Sequence, residues 1–302
     1  MTDSRNLQSM LEPALAEAAS FTERSLAALL PSPAGPEARL FEAMRYAALG
    51  GGKRFRSFLV QQSGRIFGVY RRPLGRVSAD VKCVHAYSLV HDDLPAMDND
   101  DLRRGKPTVH KAFDEATAIL AGDGLLTLAF GLLGDPDAHG DPFVRCELVS
   151  RLAHAAGHAG MVGGQMMDIA FEHASASLPE IIRLQRMKTA ALITFSCEAG
   201  AILGRASAAA RNALSAYGQD LGLAFQIVDD LLDAEGDPAR MGKAAGKDAG
   251  RGKPTVVSIL GTERARAQAE ALAAQAAGHL DLFDERADLL RAAADFVVSR
   301  RA

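Results

Sequence analysis

Apolar residues recur every three to four positions along most of this chain, and strict two-residue alternation is hard to find. That spacing predicts helices and almost no sheet. Ala and Leu abound and Trp is absent, which suits helices. One helix is expected from about Leu7 to Leu30, stopping at PSPAGP, and a second from Pro36 to Leu49, stopping at Gly50-Gly51-Gly52. Others are expected to begin near Arg56, Val77, Ala112, Pro142, Leu178, Ala208 and Thr262. Between them lie breakers such as GDPDAHGDP (134–142) and EGDPARMGKAAGKDAGRGKP (235–254). The second breaker is long and rich in lysine and glycine, which reads as a mobile functional segment. No stretch reads as an interdomain linker. The expectation is one all-α domain over 1–302.

Composition narrows the partners more than the fold. A formal charge of −3 across 302 residues gives no bulk electrostatic case for nucleic acid or an anionic membrane. Cys83, Cys146 and Cys197 are widely spaced and odd in number, which suits reduced core cysteines rather than a disulfide framework or zinc site. The N-terminus lacks a basic-then-apolar leader pattern. The most apolar stretch is interrupted by Asp123, and no uncharged run reaches the roughly 18 residues of a membrane span. A cytoplasmic protein without a membrane span is expected.

Strong charge is local. In FQIVDDLLD, residues Gln226, Asp229, Asp230 and Asp233 share an arc of about 100° on a helix, with Gly218 and Gly222 on or near it one and two turns earlier. The rest of the circumference is apolar. A solvated polar face is the ordinary account of such a stripe, yet this one contains no Lys or Arg. A second cluster lies in HDDLPAMDNDDLRRGKPTVH, residues 91–110. There His85, Ser88 and Asp92 stack on one helical face, and Pro95 disfavours helix at Leu94. A turn after Pro95 is then needed to bring Asp98 back toward Asp92. Hard carboxylate oxygens suit Mg²⁺, which takes one or two carboxylates together with waters and phosphates. Cations follow each cluster: Lys53, Arg54 and Arg56 after the triple glycine, Arg103 and Arg104 after the first acids, and Lys243, Lys247 and Lys253 after the second. Acids for metal and cations for anions describe a site for two phosphorylated substrates.

Six segments, GGKRFR, HAYSLVHDDLPAMDNDDLRRGKPTVHKAF, GGQMMDIA, KTAALITF, FQIVDDLLDAEGD and GKAAGKDAGRGKPT, resemble in order the motifs of the trans-polyprenyl diphosphate synthases, above all short-chain bacterial members. The resemblance runs from about 38 to 260. It implies an all-helical isoprenoid-synthase bundle around a central pocket, a homodimer, and three Mg²⁺ ions, with Mn²⁺ as a substitute. The implied reaction condenses an allylic diphosphate with isopentenyl diphosphate. By the same resemblance, Asp92, Asp98 and Asp229 bind Mg²⁺, with Asp93 and Asp233 in support. Lys53, Arg56, His85 and Arg104 hold isopentenyl diphosphate, and Arg103, Lys188 and Lys243 hold the allylic diphosphate, with Lys253 also among the substrate contacts. Thr189 and Gln226 place oxygens near the developing carbocation, and the released diphosphate takes the final proton. One departure is Ser57, where the family has proline after the arginine; a looser helix start is expected there.

The resemblance further implies that product length is set five and four residues before the first aspartate pair, where this chain has Tyr87 and Ser88. A tyrosine there suits a fifteen-carbon product, farnesyl diphosphate, with a twenty-carbon product as the alternative. A terpene cyclase would replace DDLLD with a different metal motif, and a non-catalytic synthase subunit would lose an aspartate motif; this chain keeps both. Among the remaining residues, Asp168 is expected to support the site, while His91 and His110 are expected to be structural. The histidines His154, His158 and His173 are not read as a metal site. Asp100 and Asp101 are expected to brace the loop and its arginines. Asp123 is expected as a buried hydrogen-bonded carboxylate, and Met161, Met166 and Met167 as core.

Overall fold

The computed structural model describes residues 4–32, 34–172, 174–235 and 253–300. Its elements are α1 (Ser4–Leu29), α2 (Ala38–Leu49), α3 (Phe55–Ile66), α4 (Arg71–Asp92), strands β1 (Leu102–Arg103) and β2 (Lys106–Pro107), and α5 (Val109–Ala112). There follow α6 (Glu115–Gly134), α7 (Pro142–Ala156), α8 (Met161–Ala170), α9 (Leu178–Gln185), a π-helical segment (Arg186–Ala190), α10 (Ala191–Leu203) and α11 (Ala208–Glu235). The chain closes with α12 (Val256–Leu260), α13 (Thr262–Gly278), a 3₁₀ turn (Glu285–Ala287) and α14 (Asp288–Ser299). The fold is all-α, with one two-stranded hairpin among the described residues. Packing divides the chain into two compact units: Pro13–Gln61 with Tyr70–Val149, and Met1–Glu12 with Gln62–Val69 and Ser150–Ala302.

In the unit of Pro13–Gln61 and Tyr70–Val149, α4 is the central helix. From Leu74 to Val90 it buries Val77, Val81, Val84 and most other positions around its circumference, so it packs on all sides rather than along one stripe. It begins at Arg71, earlier than the spacing predicts, because Pro73 falls in the first turn, where a missing N–H costs nothing. Ser57 does more than open α3: its buried Oγ donates to Ser78 O of α4 at 3.0 Å, fastening the two helices. The helix starts at Phe55, one residue before the predicted Arg56.

Asp114 caps α6, its carboxylate accepting from Thr117 N at 2.7 Å. This cap sets the start at Glu115 and splits off the short α5, where a single helix from Ala112 was expected. By length and a hydropathy of 1.7, α6 could cross a bilayer. Yet Ala118, Ala121, Leu125, Ala129 and Leu133 are buried against protein. Asp123 is not the buried carboxylate expected: its side chain is 61% exposed, 3.9 Å from His91 Nε2. Position 123 faces out because Ala121, Gly122 and Leu125 already take the inward directions.

In the second unit, α11 is the spine. Tyr217 is fully buried and donates to Leu290 O at 2.7 Å, and Ile227, Val228 and Leu231 pack with Ile181, Val256, Val257, Ala265 and Ala269. A reciprocal bond pair between Thr255 and Ser258 starts α12. Of the three methionines expected in the core, Met161 is buried but Met166 is 61% exposed. Helix α8 turns Met161 and Gly164 inward, which points Met166 the other way.

Candidate functional site

Each unit carries one group of the sequence-selected residues. In the first, α4 ends at Asp92 and the chain folds back on itself. The N–H of Asp98 donates to Asp92 O at 2.8 Å, that of Asn99 to Leu94 O at 3.1 Å and that of Asp100 to Asp93 O at 3.2 Å. Asn99 takes a left-handed φ of 50°, which asparagine tolerates better than most residues. The turn after Pro95 thus returns Asp98 to Asp92, as the spacing required. Asp92 and Asp98 are half-buried, whereas Asp93 is 3% exposed.

Asp93 has a different partner. Arg103 grips it as a bidentate pair, Nε donating to Oδ2 at 2.8 Å and Nη2 to Oδ1 at 2.5 Å. Asp100 adds a second carboxylate 3.7 Å from Arg103. Burial would lower the arginine, but the hydrogen bond and charge of Asp93 hold it above its usual value. Arg103, expected on the allylic diphosphate, is therefore anchored to the first acid motif through Nε and Nη2. Asp101 pairs with Lys111 at 2.9 Å. Both acids brace the loop, as expected.

The cations collect around the glycine loop and the hairpin. Arg104 and Gly105 have φ of 54° and 73°, the two-residue primed turn that joins β1 to β2. This turn aims the Arg104 guanidinium at the triple glycine, where it donates to Gly51 O. Gly52 has φ +112°, a backbone conformation that favours glycine, and Arg104 Nη1 lies where a Cβ would add a close contact. Among the described residues four non-glycines hold positive φ, and three of them, Arg54, Asn99 and Arg104, belong to these loops. Backbone strain concentrated this way marks functional loops.

His85 lies one turn from Ser88, whose Oγ donates back to His85 O at 3.2 Å. Arg56 Nη1 reaches His85 Nε2 at 3.4 Å. Burial first, and then Arg56, Lys82, Arg104 and Arg103, push the imidazole well below its usual range. It is therefore neutral, accepting from Arg56 on Nε2 and carrying its proton on Nδ1. Lys53 is exposed in the loop. Arg54, noted in the sequence only as one of the loop cations, is buried and bonded to Glu23 at 3.3 Å. One buried cation went unremarked, Lys82, and its place one turn before His85 was the available signal. Tyr87 is 6% exposed, its ring edge-on to His91 at 5.7 Å, and burial then Asp92 push its hydroxyl up to about 12.

In the second unit the π-helical segment is the organising element, a feature common at functional sites. It carries Lys188 and Thr189 in opposite duties. Lys188 Nζ lies 2.7 Å from Asp168, which also takes Lys253 at 2.8 Å. Lys253 reaches Glu172 as well, at 3.1 Å. Burial would raise Asp168, but the two ammonium groups keep it below the usual carboxylate range. The close approach needs Gly164, where a Cβ would sit 2.3 Å from Lys188 N. Asp168 thus joins two of the expected substrate lysines.

Thr189 is 7% exposed and donates to Gln226 Oε1 at 2.7 Å. Gln226 Nε2 donates to Asp230 at 2.9 Å, and Gln185 Nε2 donates to the same carboxylate at 2.8 Å. Asp230 therefore fixes which way the Gln226 amide faces, and the Thr189 hydroxyl gives its hydrogen to that amide's oxygen. The polar stripe of α11 is consequently divided. Asp230 is buried and structural, while Asp229 and Asp233, one turn apart, remain half-exposed. Asp229 Oδ1 accepts from Arg300 at 2.7 Å, and that guanidinium lies 3.9 Å over the Phe225 ring. Nothing in the spacing linked Arg300 to Asp229. Lys243, Lys247, His173 and the segment 236–252 lie outside the described residues.

Among the described residues no group of three or more His, Cys, Asp or Glu side chains converges as a metal cage. Paired carboxylates, Asp92 with Asp98 and Asp229 with Asp233, still fit a hard dication that keeps waters and takes phosphate oxygens. Sequence and structure comparisons agree with this chemistry. The family described as Polyprenyl synthetase matches residues 37–290, which span both units. The farnesyl diphosphate synthase of Escherichia coli (strain K12) is 46% identical over 267 residues, covering 86% of this chain and 88% of that protein. An FPP/GFPP synthase from Zymomonas mobilis, solved as an apo structure, is 49% identical with a TM-score of 0.87, covering 98% of this chain and 100% of that one. A geranyltransferase from Helicobacter pylori, complexed with magnesium and isoprenyl diphosphate, is 32% identical with a TM-score of 0.81, covering 94% and 96%.

Proposed function

Because the chain belongs to the polyprenyl synthetase family, we propose that it is a short-chain trans-prenyltransferase joining an allylic diphosphate to isopentenyl diphosphate to give farnesyl diphosphate. The observation that carries the reading is the return of Asp98 to Asp92 beside a cluster of cations. Asp92, Asp98, Asp229 and Asp233 would hold Mg²⁺, three ions in all, and the Helicobacter pylori relative was solved with magnesium. Bound Mg²⁺ would supply Lewis-acid stabilisation of the charge that leaves with the allylic diphosphate.

The chain's own groups would do the rest. Lys53, Arg56, His85 and Arg104 would hold isopentenyl diphosphate, the neutral His85 donating through Nδ1. Lys188, Lys243 and Lys253 would serve the allylic diphosphate, and Arg103 would act from its anchor on Asp93. The Thr189 oxygen, its hydrogen committed to Gln226, would turn lone pairs toward the developing cation. Apolar walls would keep water from the cation.

Product analysis tests the reading. The full chain, given isopentenyl and geranyl diphosphates with Mg²⁺, is expected to release a fifteen-carbon diphosphate. Shortening the buried side chain in Tyr87→Ala is expected to lengthen the product. A wild-type product of twenty carbons or more would overturn the farnesyl assignment, and no condensation at all would overturn the class.

A further inference from the structure

The geometry points to Lys82 as a further contact for the diphosphate of isopentenyl diphosphate, its ammonium meeting the anion from inside the fold. This rests on the isopentenyl diphosphate reading above and extends it by a residue outside its motifs. Lys82 is 4% exposed, and lysines are almost never so buried unless paired. Among the described residues its ammonium has neither an ion pair nor a hydrogen bond. Among the largest charges acting on it are the guanidiniums of Arg54, Arg104 and Arg56. Arg54 compounds the imbalance: it is 7% exposed, and its Nε and Nη1 have no hydrogen-bond partner among the described residues.

Unpaired buried cations set side by side are costly, because burial and mutual repulsion both disfavour the charged form. Burial first, then Arg54 and Arg104, push Lys82 well below the usual lysine range. Space for a neutralising group adjoins it. Lys82 lines a cavity of about 60 Å³ with Gly50, Asp93, Arg103, Arg104 and Thr108. At roughly 10–15 Å³ per water, such a space holds about four waters or one compact anionic group. The one carboxylate in the wall, Asp93, is already taken by Arg103, so it does not satisfy Lys82. Lys82 precedes His85 by three residues on α4, hence on the same face, and its cationic neighbours Arg56 and Arg104 are those assigned to isopentenyl diphosphate rather than to the allylic substrate. A diphosphate is the ligand class that answers this many cations at once.

The experiment uses the full chain with Lys82→Met, which keeps the length of the side chain and removes its charge. The KM for isopentenyl diphosphate is expected to rise about ten- to hundredfold, the range for one charged hydrogen bond, while the KM for geranyl diphosphate stays within about twofold. Thermal unfolding with inorganic pyrophosphate gives a second readout of opposite sign. Without ligand the variant is expected to melt at or above wild type, because an unpaired buried charge has gone. With pyrophosphate its gain in Tm is expected to shrink. An unchanged KM for isopentenyl diphosphate together with an unchanged pyrophosphate shift would overturn the proposal. Should Lys82→Met fail to fold, Lys82→Gln takes its place with the same expected results. Lys53→Ala separates the layers: if it raises that KM and neither Lys82 variant does, Lys82 alone is misassigned. If none of them moves it, the pocket assignment falls as well.

Discussion

Three carboxylates show how much the partner decides at the scale of single residues. Asp80 and Asp93 are both buried on or at the end of α4, at 0% and 3% exposure. Asp93 has a guanidinium across both oxygens and stays charged, whereas neither oxygen of Asp80 has a hydrogen-bond partner among the described residues. Asp168 is the third case, held charged by two lysines. Burial drives Asp80 well above the normal carboxylate value of 3.8. The folded chain therefore keeps a proton that the unfolded chain releases, and stability is full below pH 3.8 and lost as pH rises. Asp80→Asn removes the ionisation at constant size. Urea unfolding is expected to find the variant about equal to wild type near pH 4, with its advantage growing by up to about 1.4 kcal/mol per pH unit above that. An advantage that does not change with pH would refute a protonated Asp80. The motifs showed Asp92, Asp93 and Asp98 in the sequence, but Asp80 and Lys82 lie outside them. Their burial comes from helices packed around α4, which local spacing does not record.

Among elements, the π-helical segment has the largest effect on the site and left the least trace in sequence. KTAALITF reads as ordinary helix because one inserted residue per turn changes hydrogen bonding without changing residue type. Long, evenly spaced helices such as α2, α7, α11 and α13 were readable, since burial of one face imposes the spacing directly. The short α8 and α12, and α14 near the C-terminus, were missed because each relies on neighbours for its stability. The glycines of α11 serve close packing. A Cβ on Gly222 would lie 2.5 Å from Ala190 Cα, and one on Gly218 would lie 2.6 Å from Thr194 Cα. These contacts let α11 press against the π-helical segment and α10, and so bring Gln226 within 2.7 Å of Thr189. In Gly222→Ala the obstacle is backbone, so the helices must part. Destabilisation of about 1–3 kcal/mol is expected by denaturant unfolding. The loss of kcat is expected to exceed the loss of affinity for isopentenyl diphosphate, because the disturbed contact is the Thr189–Gln226 pair. Equal effects on both would point to general loosening instead.

Across the whole molecule, function was more legible than packing. Six ordered motifs indicated the chemistry before any contact was known, and the family match over 37–290 bears out the class. The motifs did not reveal how the charges are shared out: that Arg103 is tied to Asp93, that Asp230 orients Gln226, or that Arg300 reaches Asp229 across the sequence. Asp93 with Arg103, and Gln226 with Asp230, share a motif, so sequence placed them near one another without showing which groups pair; Arg300 lies outside every motif. Each of the two compact units carries one acid pair with cations of its own. If each pair is a metal site, condensation depends on each. Asp92→Asn and Asp229→Asn are each expected to lower kcat by about two to three orders of magnitude, the scale of removing one stabiliser of developing charge. Neither residue is buried, so melting temperatures should stay within a few degrees of wild type. Asp229→Asn also weakens the pair with Arg300, a partly exposed contact whose loss should have little effect on stability. Raising Mg²⁺ should restore part of the activity in each variant, because a weakened ligand set is refilled by mass action. Activity within tenfold of wild type in either variant, at ordinary Mg²⁺, would show that its acid pair is not a metal site.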